Sequence, residues 1–398
     1  MITQLKVVSS RRYFRKFWLN IHLYLAFSVG FFFALLGVTG SLNVFFLELD
    51  VLLNPAVHIE QGEKTYRPMD EIMASVRAEH PHRDGLWMMF MPRPGQPTLR
   101  AIYPKPEETA DKYYGPLMVD VDPYTAEVIS SRFWGDTLMT QIYELHTSLL
   151  LGVLSNADIG RLGFKIVGFL GLLLFISLGT GIYLWWPQRG KLRKALTIKR
   201  GASAARLNYD VHRSLGIYSS IVLLVLAFTG FSFPYRDWVQ PVVVKLSPVN
   251  APPFKNPPEL KSIPLPGIKA ITLDQAVAVA DQVFPNAELR WIATPNGPDG
   301  YYAVEKRQQG ELNIRRPRSK VWVDQYSGKI LKMETPENFT AGDIFLNLMF
   351  ILHNGEALGL PGRILVCLTG LILPTLYVTG LLHWLRKRRT RNGHLVLG

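Results

Sequence analysis

The chain contains nine histidines and a single cysteine, and five of the histidines, His22, His146, His212, His353 and His383, lie in or beside long uncharged stretches. Ionisable groups at membrane depth are costly and tend to mark functional sites. Cys367 stands alone, which excludes an internal disulfide, a Cys-ligated zinc site and a four-Cys iron–sulfur cluster. Covalent haem attachment would need Cys-x-x-Cys-His and the commonest metalloproteases His-Glu-x-x-His. Neither is present, nor is there a P-loop or Gly-x-Gly-x-x-Gly for a nucleotide.

Spacing pairs four of these histidines. His22 and His212 each stand 18 residues before the glycine of a Thr-Gly dipeptide, Thr39-Gly40 and Thr229-Gly230. Asp136 and Asp343 each precede a histidine by ten residues, His146 and His353, and Gly152 and Gly359 follow those by six. Two further dipeptides, Thr180-Gly181 and Thr379-Gly380, close the uncharged stretches that come next. The chain is therefore a tandem duplication, with His22 the counterpart of His212 and His146 of His353. Repeats running in the same direction are related by an axis along the membrane normal, which sets counterparts face to face.

Two facing imidazoles suit a flat metal macrocycle held from both sides. Bis-histidine haem b fits these residues best, at two haems per chain: neutral imidazoles from two helices ligate the iron and an apolar bundle sets its potential. Six-coordinate iron has no open position and favours electron transfer over oxygen chemistry. Two readings stay open beside it. One is a zinc or copper site at the His146/His353 pair, assisted by Glu144 or Glu356. The other makes the histidines purely structural. His383, whose counterpart is Leu184, breaks the symmetry and is an alternative ligand at the His22/His212 site. Arg161 and Arg363 are candidates to pair haem propionates.

The elements that must position these groups are membrane helices. No Asp, Glu, Lys or Arg occurs for 31 residues after Lys16, 23 after Lys165, 22 after Arg213 or 22 after Arg363. About 20 apolar residues cross the hydrocarbon core, so spans are expected at 17–47, 162–186, 211–235 and 361–385. The first is too long in its apolar part for a signal h-region and reads as an uncleaved anchor. Pro374 should kink the last span, and Trp185, Trp186 and Trp384 should form an interfacial belt. The segments 1–16, 187–210 and 386–398 hold 17 Lys and Arg close to the spans, which predicts that both termini are cytoplasmic. The net charge of +13 is thus topology and lipid contact, with no nucleic acid required.

The insertions 48–134 and 236–341 repeat as well. Each has a helical pattern, at 68–83 and 272–287, followed by an alternating hairpin, at Met118–Ile129 and Val321–Leu331. Two small α+β domains outside the cytoplasm are expected, the second entered through an extended Pro248–Pro266 connector. Apolar segments 135–160 and 342–360 carry His146 and His353 back to the membrane. The expected fold is a four-helix transmembrane bundle from two parallel repeats, bearing two small α+β domains.

The paired His-x-x-Leu-Gly/Ala…Thr-Gly spans, the Leu145-His146 and Leu352-His353 segments and the hairpins together resemble the PepSY-associated transmembrane family of bacterial inner membranes, over about residues 15–388. Within it the chain resembles the FoxB-type ferrisiderophore reductases. That resemblance implies that His22, His212, His146 and His353 ligate haem and that ferric siderophore is reduced in the periplasm, with a flavoprotein or quinol as electron donor. The first hairpin departs from the PepSY pattern in having Ala126 where glycine is usual. The alternatives are a non-enzymatic module binding a periplasmic peptidase or envelope partner, and a haem-containing, quinol-linked electron-transfer subunit.

Overall fold

The computed structural model describes residues 2–395 except 60–64, 252–259, 265–266, 312 and 314–316, so the Pro248–Pro266 connector lies partly outside the described residues. The first repeat runs α1 (Ile2–Ser28), α2 (Gly30–Asn43), α3 (Phe46–Leu53), α4 (Met69–Glu79), β1 (Met88–Phe90), β2 (Leu99–Tyr103), β3 (Leu117–Val121), β4 (Val128–Phe133), α5 (Leu138–Ser148), α6 (Leu151–Leu154) and α7 (Ala157–Trp185). A short α8 (Leu192–Leu196) leads to the second repeat. This runs α9 (Ala204–Ser232), α10 (Arg236–Leu246), α11 (Leu273–Val283), β5 (Glu288–Ala293), β6 (Tyr301–Arg307), β7 (Ser319–Asp324), β8 (Ile330–Glu334), α12 (Ala341–His353) and α13 (Gly359–Leu395).

Helices α7, α9 and α13 are each long and apolar enough to cross a membrane. The stretch expected as one span at 17–47 is instead a bent pair, α1 and α2, meeting at 62°. The bend falls between Ser28, whose hydroxyl donates back to the Tyr24 carbonyl at 2.7 Å, and Gly30, a combination known to kink helices. A Cβ on Gly30 would lie 2.8 Å from the Tyr377 ring of α13, so glycine is what lets the bent chain close on its neighbour. By contrast α13 runs through Pro374 as a single helix.

Small residues set the close crossings between repeats. Where α2 meets α13, any Cβ on Gly37 or Gly370 would run into the other's backbone, and Ser41 Oγ donates to the Cys367 carbonyl at 2.7 Å. Where α7 meets α9, a Cβ on Gly171 would fall 2.9 Å from the Ala227 carbonyl.

The two insertions do not form separate domains. Their strands make one antiparallel sheet of eight in the order β4-β3-β2-β1-β5-β6-β7-β8, joined where Met88, Met89 and Phe90 pair with Ala293, Ile292 and Trp291. Two four-stranded sheets would each expose an unpaired inner edge; pairing β1 with β5 removes both. Helices α4 and α11 cover one face over a shared core of Ile72, Val76, Trp87, Met89, Ala276, Ile292 and Val304, all below 1% exposed. Their N-termini cap each other. Asp70 accepts the backbone N–H groups of Leu273 and Asp274, and Asp274 accepts those of Met69 and Asp70. Burial opposes ionisation of both carboxyls. At Asp70 the Thr272 hydroxyl, the Asp274 carboxyl and the two N–H groups outweigh it and hold the pKa below the usual value, whereas Asp274 is pushed up.

The departure at Ala126 changes the residue and keeps the turn. Ala126 has φ 62° and its counterpart Gly328 φ 66°; each N–H bonds back to an aspartate carbonyl, of Asp122 or Asp324, and each strand pair carries a register shift beside the turn. A left-handed conformation costs a residue with a Cβ about 1–2 kcal/mol, while glycine adds about 0.5–1 kcal/mol of unfolded-chain entropy. Ala126→Gly should therefore stabilise the sheet by up to about 1 kcal/mol and Gly328→Ala destabilise it by about as much. Thermal melting of the purified protein should show shifts of opposite sign; shifts of the same sign would refute a shared left-handed turn.

Candidate functional site: two facing histidine pairs

The four paired histidines meet as the duplication predicts. His22 on α1 and His212 on α9 have ring centroids 6.5 Å apart, and His146 on α5 and His353 on α12 have theirs 6.2 Å apart. Along α9, His212 and Thr229, which touches His353, are separated by about 25 Å at 1.5 Å per residue. The pairs thus occupy opposite ends of the bundle, the second on the side of the sheet.

Each ring is seated by a Thr-Gly dipeptide of its own repeat, a role the spacing analysis did not assign to these residues. Nδ1 of His22 lies 2.9 Å from Thr180 Oγ1, that of His146 3.1 Å from Thr39, that of His212 3.0 Å from Thr379 and that of His353 2.8 Å from Thr229. The adjoining glycine makes room for the ring. A Cβ on Gly40 would lie 2.8 Å from His146 Cε1, on Gly230 3.1 Å from His353, on Gly380 3.2 Å from His212 and on Gly181 3.3 Å from His22.

The hydroxyl geometry selects the tautomer. Each threonine donates its hydrogen within its own helix, Thr39 to Leu35, Thr180 to Ser177, Thr229 to Val225 and Thr379 to Thr375, at 2.7–2.9 Å. A hydroxyl that donates there leaves its oxygen to accept from the ring, an arrangement in which Nδ1 would carry the proton and Nε2 would keep its lone pair. Metal-bound histidines are held in this way, by an acceptor on the nitrogen that does not ligate.

The arrangement fits a bis-imidazole iron. Two metal–nitrogen bonds of about 2 Å, with each ring centre roughly 1 Å further on, place centroids about 6 Å apart. No group of three or more His, Cys, Asp or Glu side chains able to hold a metal ion occurs among the described residues. A ligand set of two imidazoles suits a macrocycle that brings its own equatorial nitrogens, and it is too small for a zinc centre. Glu144 is engaged elsewhere: its carboxylate accepts from Trp134 Nε1 at 2.8 Å and from Ser148 Oγ at 2.7 Å.

The remaining candidates separate from the pairs. His383 is exposed, with its ring on Tyr209 at 5.5 Å, while His22 and His212 face one another without it. Arg363 is committed to Glu48 at 2.7 Å and to the Val44 carbonyl at 2.8 Å, and its guanidinium packs 4.5 Å from the Phe45 ring. Arg161 is exposed at the start of α7. Two other groups, on the elements that hold the sheet-side pair, belong to no sequence motif. Both amide atoms of Asn43, one turn beyond Thr39, are buried without a hydrogen-bond partner, as is Nδ2 of Asn354, directly after His353. Buried polar atoms are rarely left so.

Backbone continuity positions the sheet-side histidines. Thr137 caps α5 and Thr340 caps α12, both in capping boxes. The Thr137 hydroxyl also reaches Asp50 of α3, which sits in a buried cluster with Arg100, Asp120 and Arg132. In the second repeat Asp343 of α12 accepts the N–H groups of Asn250 and Ala251.

The glycine distances grade the effect of adding a methyl. Titrated with haem, a Gly40→Ala variant should show the His146 ring pushed out of register and binding at the sheet-side pair lost, whereas Gly181→Ala, with a half-ångström more room, should leave binding at the His22 pair as in the wild type. Haem per chain in the purified variants checks this. Equal retention in both would show that the dipeptide does not gauge the ring.

No curated protein matches the chain. The model of one family, described as the PepSY-associated TM region, matches residues 19–387, nearly the full length, and the chain is accordingly a membrane protein that belongs to this family.

Proposed function

We propose that the chain is a bacterial inner-membrane electron-transfer protein that holds one haem b between His22 and His212 and another between His146 and His353, and that it reduces ferric siderophore in the periplasm. The observation that carries this reading is the fourfold repetition of one device: a histidine whose Nδ1 is satisfied by a threonine, whose ring rests on a glycine and which faces its counterpart at about 6 Å. Bound haem would supply a one-electron iron couple.

The protein's own residues do the rest. The imidazoles of His22 and His212, and of His146 and His353, would hold the group between them, which favours electron transfer over oxygen chemistry. Apolar residues Leu178, Leu223, Ala227 and Leu373 fill the bundle and keep water out. With the bent α1–α2 pair counted as one span, the 17 basic residues of the termini and the α8 loop support assigning the face away from the sheet to the cytoplasm. A reduced flavoprotein or quinol would deliver one electron there for each Fe(III) reduced. Fe(II), carrying less charge, is held more weakly by the hard oxygen donors of a siderophore, so reduction releases it. Toward the substrate, the sheet face opposite α4 and α11 offers the half-buried Phe90 and Trp291, with the Lys320 ammonium 4.7 Å from the Trp291 ring, a surface suited to an anionic chelate.

Visible spectra before and after dithionite, with a pyridine haemochrome assay, test this. Two b-type haems per chain are expected, with one lost in His146→Ala or His353→Ala and the other in His22→Ala or His212→Ala. Ferric siderophore should reoxidise the reduced protein and release Fe(II). Haems that no ferric siderophore reoxidises would point to a quinol-linked subunit. A colourless protein would leave the non-enzymatic binding module.

A further inference from the structure

Helix α10 presents one bare apolar face. Trp238, Val242 and Leu246 are 65%, 58% and 84% exposed, and residues spaced by four share a side of a helix. Lys245, seven residues after Trp238, falls on the same side. The other side turns inward. Val243 is buried, and the end of the helix is tied to the start of α12: the Gly342 N–H donates to Ser247 Oγ at 2.9 Å, and the Thr340 hydroxyl donates to the Pro248 carbonyl. In the first repeat the matching helix is α3, which Asp50 ties to Arg100 and Arg132 of the sheet. By the histidine spacing, Gln240 stands where α3 has Asp50, so α10 carries no carboxylate there.

We propose that α10 is an interfacial helix whose partner is phospholipid. It lies along the sheet-side leaflet, with Trp238, Val242 and Leu246 at the boundary of headgroups and acyl chains and the Lys245 ammonium at the phosphates. Only residues 233–235 separate it from α9, a helix long and apolar enough to span the membrane, so it starts within one short turn of the bilayer. An aromatic run crosses that turn: the Tyr235 ring lies 4.9 Å from that of Phe231 on α9 and 4.9 Å from that of Trp238. The Tyr235 hydroxyl fixes the run by donating to the Lys165 carbonyl of α7 at 3.2 Å. Tyrosine and tryptophan collect at this level because their rings are apolar and their polar tips reach the headgroups. At the sheet-side ends of α7 and α13, Leu154 and Leu360 are exposed as well, so the apolar surface of the spans continues to the level of α10. A bare apolar stripe in continuity with that surface, holding a lysine whose stem can lie along it while the ammonium reaches water, is the pattern of a helix lying in the interface. Lipid then holds the second repeat where Asp50 holds the first, and α10 passes its depth to α12 and so to His353. The proposal stands apart from the haem reading.

Spin labelling of the full chain in vesicles of phosphatidylethanolamine and phosphatidylglycerol is the test. Cys367 is the single cysteine, so Cys367→Ser gives a clean background. A nitroxide is attached in turn at Trp238→Cys, Val242→Cys and Leu246→Cys. Ile221→Cys, on the bare face of α9, is the lipid reference, and Lys329→Cys, in the exposed β7–β8 connection, is the water reference. Oxygen concentrates in lipid, whereas a nickel chelate stays in water. At all three positions the ratio of oxygen to nickel collisions should exceed that at Lys329 several-fold and approach that at Ile221. Val242→Cys and Leu246→Cys leave the aromatic run intact, so they report even where Trp238→Cys disturbs folding. Ratios equal to that at Lys329 would place the face in water and overturn the proposal. So would shielding from both reagents, the mark of a face packed on protein, or broadening between labels on different chains, the mark of a second copy as its cover.

Discussion

The rest of the structure depends on how closely an imidazole can lie against a neighbouring helix while one of its nitrogens stays hydrogen-bonded. A ring buried among apolar helices must have its N–H satisfied, because an orphaned donor there costs on the order of 1–3 kcal/mol. Threonine meets that need from a helix surface. With its hydrogen given to the carbonyl a turn earlier, its oxygen is presented outward as an acceptor and its place in the helix is kept. The neighbouring glycine removes the one side chain that would hold the ring away. The dipeptide thus supplies polarity and space at a single level of the helix. Helix crossings, bends and caps elsewhere act to bring each Thr-Gly opposite its histidine.

Each repeat completes its own seats and neither completes a site. His22 rests on Thr180 and His146 on Thr39, all in the first half; His212 rests on Thr379 and His353 on Thr229, all in the second. Facing pairs exist only where the halves meet. The halves are held together by the glycine crossings of α2 on α13 and α7 on α9, by the β1–β5 junction and by the crossed caps of Asp70 and Asp274. Any group bound between two such rings would itself bridge the repeats, so occupancy and assembly are linked: what binds the joined form adds to its stability.

Much of this was legible in the sequence because it depends on spacing along a helix. Charge-free runs, the equal His-to-Gly intervals and the hairpin patterns are local signals, and duplication turned them into pairs. What escaped depends on contacts between distant segments. β1 is three residues long, Met88–Phe90, too short for an alternation to show, and its pairing with β5 joins residues some two hundred positions apart. Thr-Gly was visible as a mark of the repeat. Its purpose was hidden because the partner histidine lies on another helix. Arg363 sat at a plausible depth for a propionate, but Glu48 and the carbonyl end of α2 were nearer claims on its charge.

The repeats also differ where their functions should differ least, on the sheet face away from α4 and α11. The first half carries Arg100, Asp120 and Arg132, buried with Asp50 of α3 in a cluster of two positive and two negative groups. At the position matching Asp120 the second half has Trp322, buried beneath Lys320 and Lys332. A buried charge cluster of this kind adds little net stability over well-packed apolar groups, but losing one member strands the others, so it enforces a geometry. Here the geometry enforced is that of α3 and the Thr137 cap of α5, hence of His146 relative to the sheet. The second half has the buried Trp322 in its place, with the Lys320 and Lys332 ammonium groups over its ring. Duplication followed by divergence thus lets one half lock the sheet to the bundle and relieves the other of that task, a division that two identical faces of a symmetric dimer would not allow.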